Sequence, residues 1–137
     1  MNKVTPSKVT SLKDNEVFVF GSNEAGIHGK GAAKLATKWG AIYGIPEGFM
    51  TQVYAIPTKD KTIKYTLPIE TIEKYVETFI NFAKENDDKV FLVTEIGCGL
   101  AGLTPSDVAP LFEKAKELNN VWLPISFWRE LNGLILF

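Results

Sequence analysis

Residues 16–40 read EVFVFGSNEAGIHGKGAAKLATKWG, and this stretch decides the fold. It begins with Glu16–Phe20, where valine and phenylalanine follow one another and predict a short buried strand. Glycines then punctuate the chain from Gly21 to Gly31, after which apolar residues recur at helical spacing up to Trp39. A strand, a glycine-rich loop and a helix in this order indicate the first unit of an α/β fold.

The same alternation of strands and helices continues along the rest of the chain. Apolar runs predict strands and a period of 3.6 predicts helices. The elements predicted after Trp39 are a loop at Ala41–Thr51, strands at Gln52–Ile56, Lys89–Thr94 and Val121–Leu123, helices at Ile69–Ala83, Val108–Leu118 and Phe127–Leu131, and an apolar tail at Leu134–Phe137. We expect one domain over residues 1–137, with a three-layer α/β/α fold around a mixed, mostly parallel sheet.

Composition limits the classes of function that fit this chain. Of its 137 residues 45% are hydrophobic and 23% charged, which is typical of a globular domain with its own core. The formal net charge of −1 argues against a dedicated nucleic-acid binder, which usually carries a basic face. No signal peptide and no apolar run of roughly 18 residues is present, so we expect a cytoplasmic protein without a membrane partner.

The predicted topology brings three loops to one edge of the sheet. Right-handed crossovers place every strand-to-helix loop at the carboxyl edge of parallel strands, where ligands of open α/β sheets bind. The three loops are Gly21–Lys30, Pro57–Thr66 and Glu95–Thr104. They are also the polar or glycine-rich parts of the chain, so architecture and composition predict the same site.

The first glycine loop predicts a phosphate-binding element. Glycines let backbone amides approach a ligand closely, and the following helix opens with amides that lack intrahelical acceptors. Asn23, directly after the strand, is suited to bind a ribose hydroxyl or to position a water. His28, the only histidine, is either an acid or base, or a loop residue without chemistry. The ligand-binding candidates in this loop are Gly21, Ser22, Asn23, Gly26, His28, Gly29 and Gly31.

The second glycine loop matches the pattern G-x-G-x-x-G from Gly97 to Gly102. A dinucleotide-binding Rossmann unit needs a helix opening at the third glycine and an acidic residue after the next strand. Four residues precede the helix here, and Glu117 lies near a helix end, so we reject an NAD-dependent dehydrogenase. We still expect backbone amides of this loop to face a phosphate. The candidates are Gly97, Cys98, Gly99, Leu100, Ala101 and Gly102.

Other side chains near the loops offer weaker chemistry. Cys98 lies between two glycines, and we interpret it as a small side chain that fits the loop rather than as a nucleophile. Asp107 is expected to cap a helix. Glu24, Asp60 and Glu95 each suit a general base or a ribose contact. For Asp60, which lies between two lysines that could help to hold an anion, we favour a solvated loop charge. No spacing of histidine, cysteine or acidic residues predicts a metal site, and no cofactor is expected.

Both loops resemble a known family. Val17–Asn23 with Ala25–Ala33 resembles the macrodomain pattern of a strand that ends in asparagine before a glycine-rich loop and a helix. Tyr54–Thr58 looks like the central strand of that pattern, and Thr94–Gly102 looks like its second phosphate loop. More narrowly, the chain is similar to small uncharacterised macrodomain-like proteins of bacteria and phages over residues 15–120.

The resemblance implies a pocket for ADP-ribose or a related NAD-derived nucleotide. It implies that Asn23 contacts the distal ribose, that the first loop covers this ribose and the pyrophosphate, and that Gly97–Gly102 forms the second loop. His28 departs from an all-glycine stretch, and no Gly-Asp-Ile segment precedes the first strand to hold adenine. Asn23 and His28 are the catalytic candidates if the chain hydrolyses an ADP-ribosyl bond.

Two alternatives to a hydrolase stay open from the sequence. One is a non-catalytic module that senses or sequesters a nucleotide. The other is a protein or nucleic-acid interaction domain that uses the apolar C-terminus, namely Trp128 and Leu134–Phe137. The same tail also suits a homo-oligomer interface.

Overall fold

The computed structural model describes residues 3–132, and the predicted tail Leu134–Phe137 lies outside them. It contains five strands, four α-helices and two 3₁₀ segments. In chain order they are β1 (Glu16–Asn23), α1 (Gly31–Ala36) with a 3₁₀ segment at Thr37–Trp39, β2 (Gly48–Met50), β3 (Val53–Lys59), α2 (Ile69–Glu85), β4 (Val90–Val93), α3 (Pro105–Val108) with a 3₁₀ segment at Ala109–Glu117, β5 (Val121–Trp122) and α4 (Ile125–Asn132).

The strands form one sheet in the order β2-β3-β1-β4-β5, so β1 lies at its centre. β1 pairs in parallel with both β3 and β4, and β4 pairs in parallel with β5. Only β2 is antiparallel, against β3. The prediction of an α/β fold with a mixed, mostly parallel sheet is confirmed.

Apolar side chains of β1 enter clusters on both faces of the sheet. Val17 and Val19 pack with α2 and with the 3₁₀ segment Ala109–Glu117, while Phe18 and Phe20 pack on the opposite face with α1. Successive side chains of a strand point to opposite faces, which explains this division. Helices against both faces are consistent with the expected three layers.

The structure corrects five details of the predicted elements. β1 does not end at Phe20 but continues to Asn23, so Asn23 is the last residue of the strand and does not follow it. β2 lies inside the region that we predicted as a loop, Ala41–Thr51, because three residues suffice for its pairing with β3. β3 does not stop before Pro57 but continues to Lys59. β2 pairs with β3 only as far as Ala55, so Pro57 lies where β3 has an open edge and a missing amide costs little.

The other two corrections concern the last helices. The helix predicted at Val108–Leu118 is instead a short α3 followed by a 3₁₀ segment, which begins just before Pro110. Proline removes an amide from the helical ladder and so favours such a break. α4 is longer than predicted, and its Trp128 indole donates a hydrogen bond to the carbonyl of Lys3 at 2.9 Å. None of the helices within residues 3–132 has the length and apolar character of a membrane span.

Candidate functional site

A cavity of about 730 Å³ lies at the carboxyl edge of β1, β3 and β4. Its walls come from the three loops that the topology was expected to bring together. The lining includes Gly21–Asn23 from the end of β1, Ile27 and Gly29–Ala33 from the first loop and α1, Thr58 and Lys59 from the end of β3, Ile63 from the segment after it, and Thr94–Gly97 with Gly99–Ala101 from the second glycine loop. The predicted convergence of the loops is therefore present.

Nine of the thirteen predicted ligand-binding residues line this cavity. They are Gly21, Ser22, Asn23, Gly29, Gly31, Gly97, Gly99, Leu100 and Ala101. Gly26, His28, Cys98 and Gly102 were predicted with them but are not part of its wall. Each of these four supports the shape of a loop instead.

Asn23 shapes the first loop with its side chain. Its Nδ2 donates to the carbonyl of Ile27 at 2.8 Å, and its Oδ1 accepts from the amide of Ile27 at 3.0 Å. The side chain is 8% exposed, and the two bonds fold the loop back onto the end of β1. One N–H of the amide group is left for a ligand, because Nδ2 carries two hydrogens.

His28 is buried behind the loop rather than over the ligand cavity. Its Nε2 lies 3.1 Å from the carbonyl oxygen of Ile42 and 3.2 Å from that of Ile45. Both partners only accept, so Nε2 carries the hydrogen. The ring meets Phe20 edge-on at 5.4 Å and is 6% exposed. The structure thus corrects the placement of His28 as a catalytic candidate, since it fastens the loop to residues 42–45.

Gly26 fastens the loop at a second point. Its carbonyl accepts a hydrogen bond from the amide of Gly44 at 2.8 Å. Its φ of +71° lies in the left-handed region, and a Cβ there would lie 2.6 Å from backbone atoms of Gly44 and Ile45. Only glycine fits this close approach of two backbones. The four glycines of the loop therefore do not share one role.

The second glycine loop is held by its own backbone. Cys98 donates its amide to Glu95, Gly102 to Gly99, and Leu103 to Gly97, at 2.8 to 3.1 Å. Among residues 3–132, the amides of Gly99, Leu100 and Ala101 have no acceptor. These three residues line the cavity, so their amides remain available to a ligand.

A hairpin between β3 and α2 supports this loop. Lys59 and Thr66 form an antiparallel bridge, and the Thr66 hydroxyl donates to the carbonyl of Ala101 at 2.5 Å. Asp60 accepts hydrogen bonds from the amide and the hydroxyl of Thr62 at the hairpin tip, and these bonds lower the pKa of its carboxyl. Asp60 therefore shapes the hairpin and lies outside the cavity wall.

The remaining acidic candidates divide between structure and cavity. The N-cap of α3 is Thr104 and not Asp107, which lies inside the first turn. The Asp107 carboxylate accepts from the Thr104 amide at 2.9 Å in a capping box, and this bond lowers the pKa of Asp107. Glu24 accepts from the Tyr75 hydroxyl at 2.6 Å, which raises the pKa of Tyr75 to about 12. Glu95 lines the cavity and accepts from the Ser126 hydroxyl.

Cys98 is a poor nucleophile in this setting. Burial, followed by the charges of Glu95 and Asp107, raises the pKa of its thiol to about 11. Its Sγ contacts the carbonyl oxygen of Ile96 at 3.5 Å. The interpretation of Cys98 as a small side chain within the loop agrees with this environment.

Lining residues outside the predicted set come from β3 and from the chain beside the glycines. They include Lys30, Thr58, Lys59, Ile63, Thr94 and Ile96. Their positions depend on where each strand ends, which a periodic pattern shows only to within a few residues. Comparisons of the chain with protein-family models, curated proteins and solved structures found no significant match.

We predict that substitution by alanine destabilises the fold at one glycine of the first loop and has little effect at another. Gly26→Ala strains a left-handed residue and clashes with Gly44, so it should lower the free energy of unfolding by about 1–3 kcal/mol. Gly29→Ala is the matched control, because a Cβ there meets nothing within 4 Å and its φ is not positive. Its effect should stay within about 0.5 kcal/mol in urea unfolding. Equal losses would contradict the assigned role of Gly26.

We predict that His28 acts through its hydrogen bonds. His28→Leu leaves the carbonyls of Ile42 and Ile45 without a donor and should cost about 1–3 kcal/mol in urea unfolding. His28→Gln retains an N–H near the position of Nε2 and should recover much of this loss. If both variants were as stable as the unchanged chain, the loop would not depend on this contact.

Alkylation of Cys98 should be slow at ordinary pH. A pKa of about 11 instead of 9.0 leaves about a hundredfold less thiolate at pH 8. The rate of reaction with iodoacetamide, followed by mass spectrometry, should therefore keep rising until about pH 11. The same chain in urea provides the control and should react as an ordinary cysteine. A rapid reaction of the folded chain at pH 7 would show an activated thiolate.

Proposed function

We propose that this chain is a macrodomain-like protein whose cavity binds ADP-ribose or a related NAD-derived nucleotide. The observation that carries the proposal is that both glycine loops line one cavity, where the second loop has three amides without an acceptor among residues 3–132. The resemblance of the two loops to the macrodomain pattern supports the same ligand. A cytoplasmic location and self-association stay predictions.

Backbone donors favour a phosphorylated ligand. The amides of Gly99, Leu100 and Ala101 have no acceptor among residues 3–132. Gly31–Ala33, in the first turn of α1, line the same cavity, and their amides precede the first intrahelical bond, from Lys34 to Lys30. Successive amides in glycine-rich turns form concavities that suit phosphate oxygens. A diphosphate between the two loops would be bound by both sets of donors.

The size and the apolar wall of the cavity favour a nucleotide over free phosphate. A volume of about 730 Å³ lies in the range of small-molecule sites. Ile27, Ile63 and Leu100 add apolar surface to the lining, and Leu100 is 67% exposed. Apolar surface beside a few polar donors is what a base or the carbon face of a ribose requires.

The side chains favour binding over hydrolysis. His28 is buried away from the cavity, Cys98 is held as a neutral thiol, and Asn23 makes two hydrogen bonds within the loop. A general base must lie within hydrogen-bond reach of its proton, and neither His28 nor Cys98 belongs to the cavity wall. We therefore propose a module that senses or sequesters the nucleotide, with cleavage of an ADP-ribosyl bond as the alternative.

Calorimetry with ADP-ribose tests the proposal. The unchanged chain should bind with a saturable isotherm, and Gly99→Glu should weaken binding at least about tenfold, because a carboxylate then faces the diphosphate. A side chain fits there sterically, since a Cβ on Gly99 meets nothing within 4 Å. Gly99→Gln is the matched control of equal size and should retain most of the affinity. A tenfold loss corresponds to about 1.4 kcal/mol.

Two outcomes would contradict this assignment. If the unchanged chain does not bind ADP-ribose, the proposed ligand is wrong. If Gly99→Glu and Gly99→Gln bind with equal affinity, the second loop does not contact the diphosphate. Turnover is measured separately, by mass spectrometry of ADP-ribosylated peptide after long incubation. Release of ADP-ribose would establish the hydrolase in place of the binding module.

A further inference from the structure

A β-bulge at the end of β3 places two consecutive residues in the wall of the cavity. β1 and β3 pair Ser22 with Pro57 and then Asn23 with Lys59, so Thr58 is an extra residue without a partner on β1. Side chains of a regular strand alternate between its faces, yet Thr58 and Lys59 both line the cavity. Bulges often occur beside functional sites, where they redirect a side chain.

The backbone on both sides of the bulge is firmly held. The Thr58 hydroxyl donates to the carbonyl of Ser22 at 3.3 Å, and the Thr58 carbonyl accepts from the amide of Leu67 at 2.8 Å. The carbonyl of Lys59 accepts from the amide of Glu24 at 2.9 Å. Lys59 is therefore fixed against the start of the first glycine loop, next to Asn23.

The ammonium of Lys59 has no ionic partner among residues 3–132. The neighbouring carboxylate, Asp60, is occupied at the hairpin tip by Thr62. Glu95, the acidic residue of the cavity wall, accepts a hydrogen bond from Ser126. Lys30 also lines the cavity but is exposed to solvent, whereas Lys59 is half-buried. A half-buried cation without a partner favours an anionic ligand beside it.

We propose that Lys59 determines the charge specificity of the cavity by pairing with the diphosphate of the ligand. This inference rests on the proposed function and extends it. The loop amides offer only partial positive charges to phosphate oxygens, whereas Lys59 adds a full positive charge. The cavity therefore binds a nucleotide, whose diphosphate carries two negative charges, more tightly than the uncharged nucleoside.

Lysine-to-methionine variants at two positions test this role by calorimetry with ADP-ribose and with adenosine. Lys59→Met should weaken ADP-ribose binding about tenfold or more and leave adenosine binding unchanged. Lys61→Met is the matched control, because Lys61 is exposed on the same hairpin and does not line the cavity. It should change the affinity less than about twofold. Lys59→Arg keeps the charge and should restore most of the binding.

Salt dependence gives a second measurement that a merely structural role would not change. Affinity of the unchanged chain for ADP-ribose should fall as sodium chloride rises, and Lys59→Met should flatten this dependence while Lys61→Met does not. Thermal unfolding of each variant is the control that checks whether the fold is retained.

The outcomes separate the two proposals. If the unchanged chain binds ADP-ribose but Lys59→Met and Lys61→Met have the same affinity for it, the proposed role of Lys59 is wrong and the proposed function stands. If the unchanged chain binds no ADP-ribose, both proposals are wrong.

Discussion

The parallel pairing of β1 with β3 on one side and β4 on the other is the constraint on which the rest of the structure depends. A strand with neighbours on both edges and apolar clusters on both faces has one register and one orientation. Because all three strands run in the same direction, their following loops emerge at one edge of the sheet. Residues as distant in sequence as Gly29 and Gly99 thereby line one cavity.

The cavity is shaped by contacts that need no ligand. Asn23 closes the first loop on Ile27, and His28 with Gly26 binds that loop to residues 42–45. The Thr66 hydroxyl holds the second loop through Ala101. A site whose loops are ordered before binding loses less conformational entropy when a ligand arrives. Asn23 and His28, the catalytic candidates of the sequence, make hydrogen bonds that hold the first loop in place. The proposed recognition of the ligand therefore depends on backbone amides.

The sequence predicts the sheet and the two glycine loops because these features are local. Val17–Phe20 and Val90–Val93 are continuous apolar runs, and each is followed by closely spaced glycines. The burial of His28 was not predictable in the same way, since it depends on carbonyls of Ile42 and Ile45 in an irregular segment. The bulge at Thr58 arises from pairing with β1, and no periodic pattern within β3 records it.

The small negative net charge of the chain is compatible with a cavity that binds an anion. A net charge of −1 over the whole chain argues against a broad basic surface, and it says nothing about one cavity. The charged residues of the cavity wall are Lys30, Lys59 and Glu95, so it holds two cations and one carboxylate, which already accepts a hydrogen bond from Ser126. Electrostatic attraction weakens with distance and is screened by salt within about 10 Å. An acidic protein can therefore hold an anion, provided that its cations lie at the site, and the bulge beside Asn23 keeps Lys59 there.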